Sequence, residues 1–492
     1  MIKSLKNIAV LLLVAVATIH SSCKSKEVCS INFPVTAALV GDWGQSTTLS
    51  FTYRNAEVIK LGTITGGWKA EINREARTVT ITAPESASAT DAARTGSIHI
   101  VAVAKGGDSE GAVIYARIVD DLVDLSANGA QSNCYIIPSP DVKYRFNACV
   151  KGNSTESIPT AKVDILWIDN PDILQYLTLE QDGYASFFVN YETDADGAQL
   201  STSPKGNAVV AAYDSAGTIL WSWHLWLTGG GDPRNGFTLS NGATLMGYNL
   251  GAFANPDGNS TPADIWRGYG LYYQWGRKDP FIRPEYSDCA QGLDETIYNA
   301  SQDYVYVTVK ATDETVGTIE YAVKHPLTFI SSTAENHGNW LYNNNRTDLW
   351  SENGPKALYD PCPYGWRVPS EDTFEVLDIA AAEDELPLAE AEKLFGWALT
   401  DSGNGQKHFF SANGYRSYLT GVLTNINYRD EYPYTPKPWV GYYWTAGIGS
   451  TAALSTAMFF DLNTSRATVN GYKAVTDQKR GNAMQIRCVK DE

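Results

Sequence analysis

The 492-residue chain is short of positive charge: 38 Lys and Arg stand against 55 Asp and Glu, a formal charge of −17. Clustered Lys and Arg are needed to neutralise phosphates, so a nucleic-acid partner is excluded. Seven cysteines are present, none arranged as Cys-x-x-Cys, which removes a zinc knuckle and a thioredoxin-like redox site. The six histidines include no His-x-x-x-His pair, and no paired-carboxylate spacing accompanies them, so no metal hydrolase motif is visible. There is no Gly-x-Ser-x-Gly elbow and no glycine loop ending in Gly-Lys-Ser or Gly-Lys-Thr. Past the N-terminus, no stretch is long and apolar enough to cross a membrane as a helix.

The N-terminus reads "MIKSLKNIAVLLLVAVATIHSSC". Lys3 and Lys6 precede an apolar run from Ile8 to Ile19, and small residues follow, the layout of a secretory signal over residues 1–22. Cys23 after Ser21 and Ser22 resembles the acylation site of a bacterial lipoprotein, with His20 where an aliphatic residue is usual. The "KSKE" that follows is similar to the export signal of surface lipoproteins in the gut Bacteroides group. The resemblance implies an outer-membrane, cell-surface protein held by lipid alone, with residues 23–30 as tether. In an exported chain Cys29, Cys134, Cys149, Cys289, Cys362 and Cys488 then become disulfide candidates.

With 28 Tyr, 14 Trp and 41 Gly, the composition suits strands and turns, and the fold class expected is mainly β. From 31 to 120 short alternating runs are separated by turn residues. "RTVTITAP" puts Val79 and Ile81 on one face, and "SIHIVAVA" and "AVIYARIV" repeat the pattern, which predicts a small antiparallel sandwich. His99 lies in one of these strands with no second histidine or cysteine nearby, and reads as structural. The stretch resembles the immunoglobulin-like modules of Bacteroides surface lipoproteins.

A second sandwich is expected over 121–230. "PSPD" reads as a hairpin turn, and a turn near Asp141 and Val142 would bring Cys134 opposite Cys149, a cross-strand pairing that geometry permits. "ILWSWHLWLT" places Trp221, Trp223, Leu225 and Leu227 on one face, with His224 and Trp226 on the other. That strand is either buried in the sandwich, the commoner case, or a sugar platform. "GGGDPRNG" sustains neither helix nor central strand and marks a domain boundary.

From 231 onward the texture changes to long loops and many aromatics. In "DPCPYGWRVPSEDTFEVL" the prolines hold Cys362 on a stiff arm. Ser370 then reads as an N-cap, with Glu371 and Asp372 in the first turn and Phe374, Leu377 and Ala381 at helical spacing, which predicts a helix. "MGYNLGAF", "GLYYQWGRKDPF", "DPCPYGWRVPS", "GYYWTAG" and "MQIRCVK" follow in this order, and together resemble the Fibrobacter succinogenes major paralogous domain over roughly the last 260 residues. The anchors are Trp275 to Phe281, Asp360 to Pro369 and Ile486 to Val489, and the one departure is the missing Asp-Arg before Asn249. "SNCYIIP" in the middle segment is similar to the module that commonly precedes this domain.

The resemblance implies an α+β, C-type-lectin-like domain over 231–492, whose ends are joined by a disulfide between Cys362 and Cys488. In such folds the ligand loops lie between the helices and the closing strands, here 400–445. Within that window Tyr428, Tyr432, Tyr434 and Trp439 are candidates for stacking on sugar rings, Asp430 and Glu431 for accepting hydroxyl hydrogen bonds, and Arg429 for donating them, while Trp444 reads as core. Asp257, Asn259 and Asp264 offer oxygens for calcium, but the EF-hand glycine is misplaced and the Glu-Pro-Asn, Gln-Pro-Asp and Trp-Asn-Asp tripeptides of calcium lectins are missing, so no cofactor is expected. The leading expectation is a non-enzymatic adhesin or glycan-binding lipoprotein. A subunit of a surface fibre or polysaccharide-capture complex contacting proteins is the second. An oxidase of the formylglycine-generating type, which needs a cysteine pair near the C-terminus, is the third.

Overall fold

The computed structural model describes residues 29–34, 36–85, 91–119, 121–139, 142–171, 173–189, 205–257, 260, 267–283, 296–379, 396–424, 440–461 and 471–491. The chain forms two compact units, 1–119 and 120–492. It is mainly β, and no helix among the described residues is long and apolar enough to cross a membrane.

In the first unit the strands Ala37–Val40, Ser109–Ile118, Thr95–Val103 and Val58–Ile64 make one sheet, and Ser46–Ser50, Thr78–Thr82 and Lys69–Asn73 another. The expected alternation is what closes them: Val79, Ile81, Ile98, Ile100 and Ile114 are fully buried, while His99 faces water between two of them. Ala37–Val40 runs parallel to the last strand, the remaining neighbours antiparallel.

The second unit opens with a sandwich. Leu122–Asp124, Lys143–Asn147, Tyr184–Val189 and Leu174–Leu179 form one sheet. The other contains Cys134–Ile137, Ile219–Thr228, Lys205–Tyr213, Lys162–Ile168, Ile297–Tyr298 and Tyr304–Val305. The expected hairpin between Cys134 and Cys149 does not form. Cys134–Ile137 pairs in parallel with Ile219–Thr228 and Lys143–Asn147 lies in the opposite sheet, because each apolar run fills its own side of the core. Cys134 and Cys149 are accordingly free thiols, as is Cys29; Cys289 lies outside the described residues.

The expected boundary at 230 does not separate two bodies. Two faces of one strand feed two cores: Trp221, Trp223, Leu225 and Leu227 pack within the sandwich, whereas Trp226 packs with Trp275, Trp340, Trp350 and Trp444. The strand is therefore buried rather than a sugar platform. Gly229 and Gly230 only turn the chain, with φ of 68° and 85°. Lys278 in "WGRKDPF" locks the halves together: it pairs with Asp279 at 2.7 Å and donates to the Ser222 carbonyl at 3.0 Å, with its ammonium 4.6 Å from the Trp221 ring centre. Both ions are buried, and burial lowers the lysine pKa.

The remainder is a set of small sheets around the aromatic core. The one described α-helix longer than a turn, Ile319–Lys324, is capped by Thr318, whose hydroxyl accepts from Tyr321 N at 3.1 Å. The helix expected after Ser370 is a single 3-10 turn, Glu371–Phe374, followed by a short strand, Leu377–Asp378, that pairs with Asp401 and Thr400. Ser370 caps no backbone N–H. Its hydroxyl turns to Asp372 and Thr373, and Phe374 and Leu377 share a core with Leu399 and Phe410. Sheet pairing thus overrides the helical spacing; Ala381 lies outside the described residues.

Candidate functional site

The Cys362–Cys488 bond is present, with Cα atoms 6.0 Å apart and a sequence separation of 126. Everything around Cys362 is built to hold it. The Asp360 carboxylate, fully buried, accepts from Cys362 N at 2.8 Å and Val368 N at 2.9 Å. Burial raises its pKa, opposed by Lys356 at 3.9 Å, whose ammonium also caps the Cys362 and Pro363 carbonyls. Gly365 sits at φ 76°, which only glycine adopts at ease, so the turn returns Trp366 to bond Pro363 O at 3.0 Å. From the sandwich, Ser132 donates to Cys362 O at 3.1 Å and Asn133 to Leu358 O and Asp360 O at 2.8 Å each, with Trp221 Nε1 bonding Asn133 Oδ1 at 3.0 Å. The motifs "SNCYIIP", "WGRKDPF", "DPCPYGWR" and "MQIRC" are thus scaffold, clasped to one another.

A buried polar cluster completes that scaffold. Arg487 donates from Nε to Asn249 Oδ1 at 2.8 Å and from Nη1 to Phe409 O at 3.1 Å, with its guanidinium 4.6 Å from the Phe410 ring centre. Asn249 in turn donates to Gly268 O at 2.9 Å and Gln485 Oε1 at 3.2 Å. Burial pushes the Arg487 guanidinium down to about 10. Gln485, Ile486, Arg487 and Cys488 are all buried and link the short strands Ala483–Met484 and Val489–Lys490, which belong to different sheets.

On this scaffold opens a groove of about 810 Å³. Its floor is formed by Thr244, Arg367, Val489 and Lys490 of the sheet Phe237–Thr238, Thr244–Leu245, Val489–Lys490 and Trp366–Arg367, and Val489 directly follows the disulfide-bonded Cys488. One wall is the turn at Gly242, φ 92°, held by Ser240 N on Asp401 Oδ2 at 2.7 Å and by Asn241 Nδ2 on the Asp372 and Thr373 carbonyls at 3.1 and 3.2 Å. The other wall is 352–355, where Glu352 Oε1 accepts from Glu371 N at 2.8 Å. Arg367 ties wall to floor, bonding Gly354 O at 2.9 Å, Ser351 O at 2.6 Å and Asp491 at 3.1 Å. Burial, with Glu371 and Asp372 nearby, raises the Glu352 pKa. Asn353, Asp372, Glu375 and Lys490 also line the space, giving acceptors on the walls and an ammonium on the floor.

The residues chosen from sequence as ligand contacts, Tyr428, Arg429, Asp430, Glu431, Tyr432, Tyr434 and Trp439, lie outside the described residues, as do Cys23, Asn259 and Asp264. Trp444 is core, fully buried and donating to Tyr273 O at 2.7 Å. The groove residues were not singled out from sequence, since polar residues in four separate stretches leave no local spacing. Two of the described histidines are used in packing. His224 is buried against Asn207 at 2.9 Å with its pKa pushed down to about 3 by burial, and His408 stacks on Phe237 at 3.9 Å.

No family model matches the chain, and no curated protein does. The Fibrobacter-type resemblance therefore rests on its motifs alone. Among solved structures the chain is similar to the D00-D0 domain of Intimin, at 10% identity over 40% of this chain and 96% of that one with TM-score 0.15. It is similar to the tandem Ig repeats of Dlar at 13%, over 40% and 96%, with TM-score 0.16. It is also similar to SGBP-B of the Bacteroides ovatus mixed-linkage glucan utilization locus, in complex with a heptasaccharide, at 14%, over 39% and 43%, with TM-score 0.11. Likenesses this weak say nothing of ligand or partner.

Proposed function

We propose that the chain is a non-enzymatic surface lipoprotein, anchored in the outer membrane through Cys23, whose second unit binds a glycan in the groove between 241–244 and 352–355. The observation that carries this reading is the groove itself: an open polar space lined by carboxylates and amides, groups suited to accept hydrogen bonds from vicinal hydroxyls. Its walls are fixed by hydrogen bonds between side chains and backbone, so little ordering cost falls on binding. A C-type-lectin-like ancestry, from the motif resemblance, fits the same role. Replacing Cys23 with Ser should release the protein from the membrane fraction; retention there would end the lipoprotein reading. Hydrogen exchange of the full chain with and without pooled oligosaccharides tests the groove. Slowed exchange at 241–244, 352–355 and 489–491 is expected, and slowing confined to other segments would place the site elsewhere.

A further inference from the structure

The hairpin of Ile297–Tyr298 and Tyr304–Val305 forms one edge of the six-stranded sheet, and the chain runs on through Tyr306 and Val307 into Thr308–Ala311. Its side chains alternate with the smaller residues inside. Val305 and Val307 pack against two cores, whereas Tyr304 is 64% exposed and Tyr306 76%. Tyr298, the cross-strand partner of Tyr304, is half-buried with its ring centre 5.3 Å away, so it braces that ring. Tyr304 and Tyr306 alternate with the half-buried Val305 and Val307, so both rings face solvent on the same side of the chain, with Tyr298 beside Tyr304. The turn beside them is polar and fixed: Asn299 Oδ1 accepts from Ser301 N at 2.8 Å and Asp303 N at 3.0 Å.

Large aromatic rings held in water by buried neighbours mark an interaction surface. We propose that Tyr298, Tyr304 and Tyr306 form a stacking platform for a neutral polysaccharide, separate from the groove. A pyranose ring has an apolar C–H face and hydroxyls at its edge, which matches exposed phenols bordered by Asn299, Ser301 and Asp303. Charge selects among the occupants. At a formal −17, a second copy of the chain and a polyanionic glycan are both repelled, and a neutral polymer is not.

The test is native electrophoresis of the full chain through gels containing β-glucan, xyloglucan or galactomannan, each alone. Retardation by at least one is expected. Tyr304→Ala with Tyr306→Ala should weaken it at least about tenfold at an unchanged melting temperature, because exposed side chains contribute little to stability. Tyr304→Phe with Tyr306→Phe keeps the rings and should retain binding. Retardation that survives in the Ala variant belongs to another site, so the platform and the groove are read separately. Two results would overturn the platform: no retardation by any of the gels, or retardation equal in the Ala variant and the parent.

Discussion

Arg487 and Asn249 meet at 2.8 Å across 238 residues of chain, and a carboxamide, not a carboxylate, answers the buried guanidinium. Among the described residues, the hydrogen bonds on Arg487 come from Asn249 and a backbone carbonyl, with a phenylalanine face alongside. Removing the carboxamide leaves a buried cation short of an acceptor. Asn249→Ala should therefore cost about 2–4 kcal/mol, read as a lower urea midpoint at unchanged slope. A loss within experimental error of zero would show the cluster to be dispensable.

The Cys362–Cys488 bond closes a loop of 126 residues. In the chain-entropy picture such a closure contributes at most about 4–5 kcal/mol, because it restricts the unfolded chain. Cys488→Ala should melt well below the parent, and reducing the parent should bring the two together. Equal melting temperatures under oxidising conditions would remove the staple from the stability of the groove floor.

Glu352 gives the pH dependence a sign. Burial raises its folded pKa above the ordinary 4.5, so the folded state keeps a proton that the unfolded chain has released. The associated stability is complete below the unfolded value and is lost as pH rises through the folded one. Glu352→Gln should raise the melting temperature at neutral pH, with the gain vanishing at about pH 4. Its amide oxygen still accepts from Glu371 N, so a variant that melts lower at both pH values would contradict the assignment.

Local pattern was legible where one face is buried and the other wet, as in Thr78–Thr82 and Thr95–Val103, whose alternation names the core directly. It failed where both faces are buried. Ile219–Thr228 divides its tryptophans between two cores, so the glycines after it looked like a boundary although the halves share a clasp. The stretch after Ser370 carried a good cap and helical spacing, yet its backbone goes to a sheet that no local pattern announces. The Cys362–Cys488 pairing came from family resemblance, since seven cysteines alone leave many pairings open. The groove draws its lining from four separate stretches, and only the fold assembles them.

The most direct measurement is a glycan array probed in parallel with the full chain and with its Asp372→Asn, Glu375→Gln variant. Binding to at least one glycan family is predicted, reduced about tenfold or more in the variant while its melting temperature holds, as expected when the acceptors on the groove walls are weakened. A blank array, or equal signals from both proteins, would contradict glycan binding in the groove.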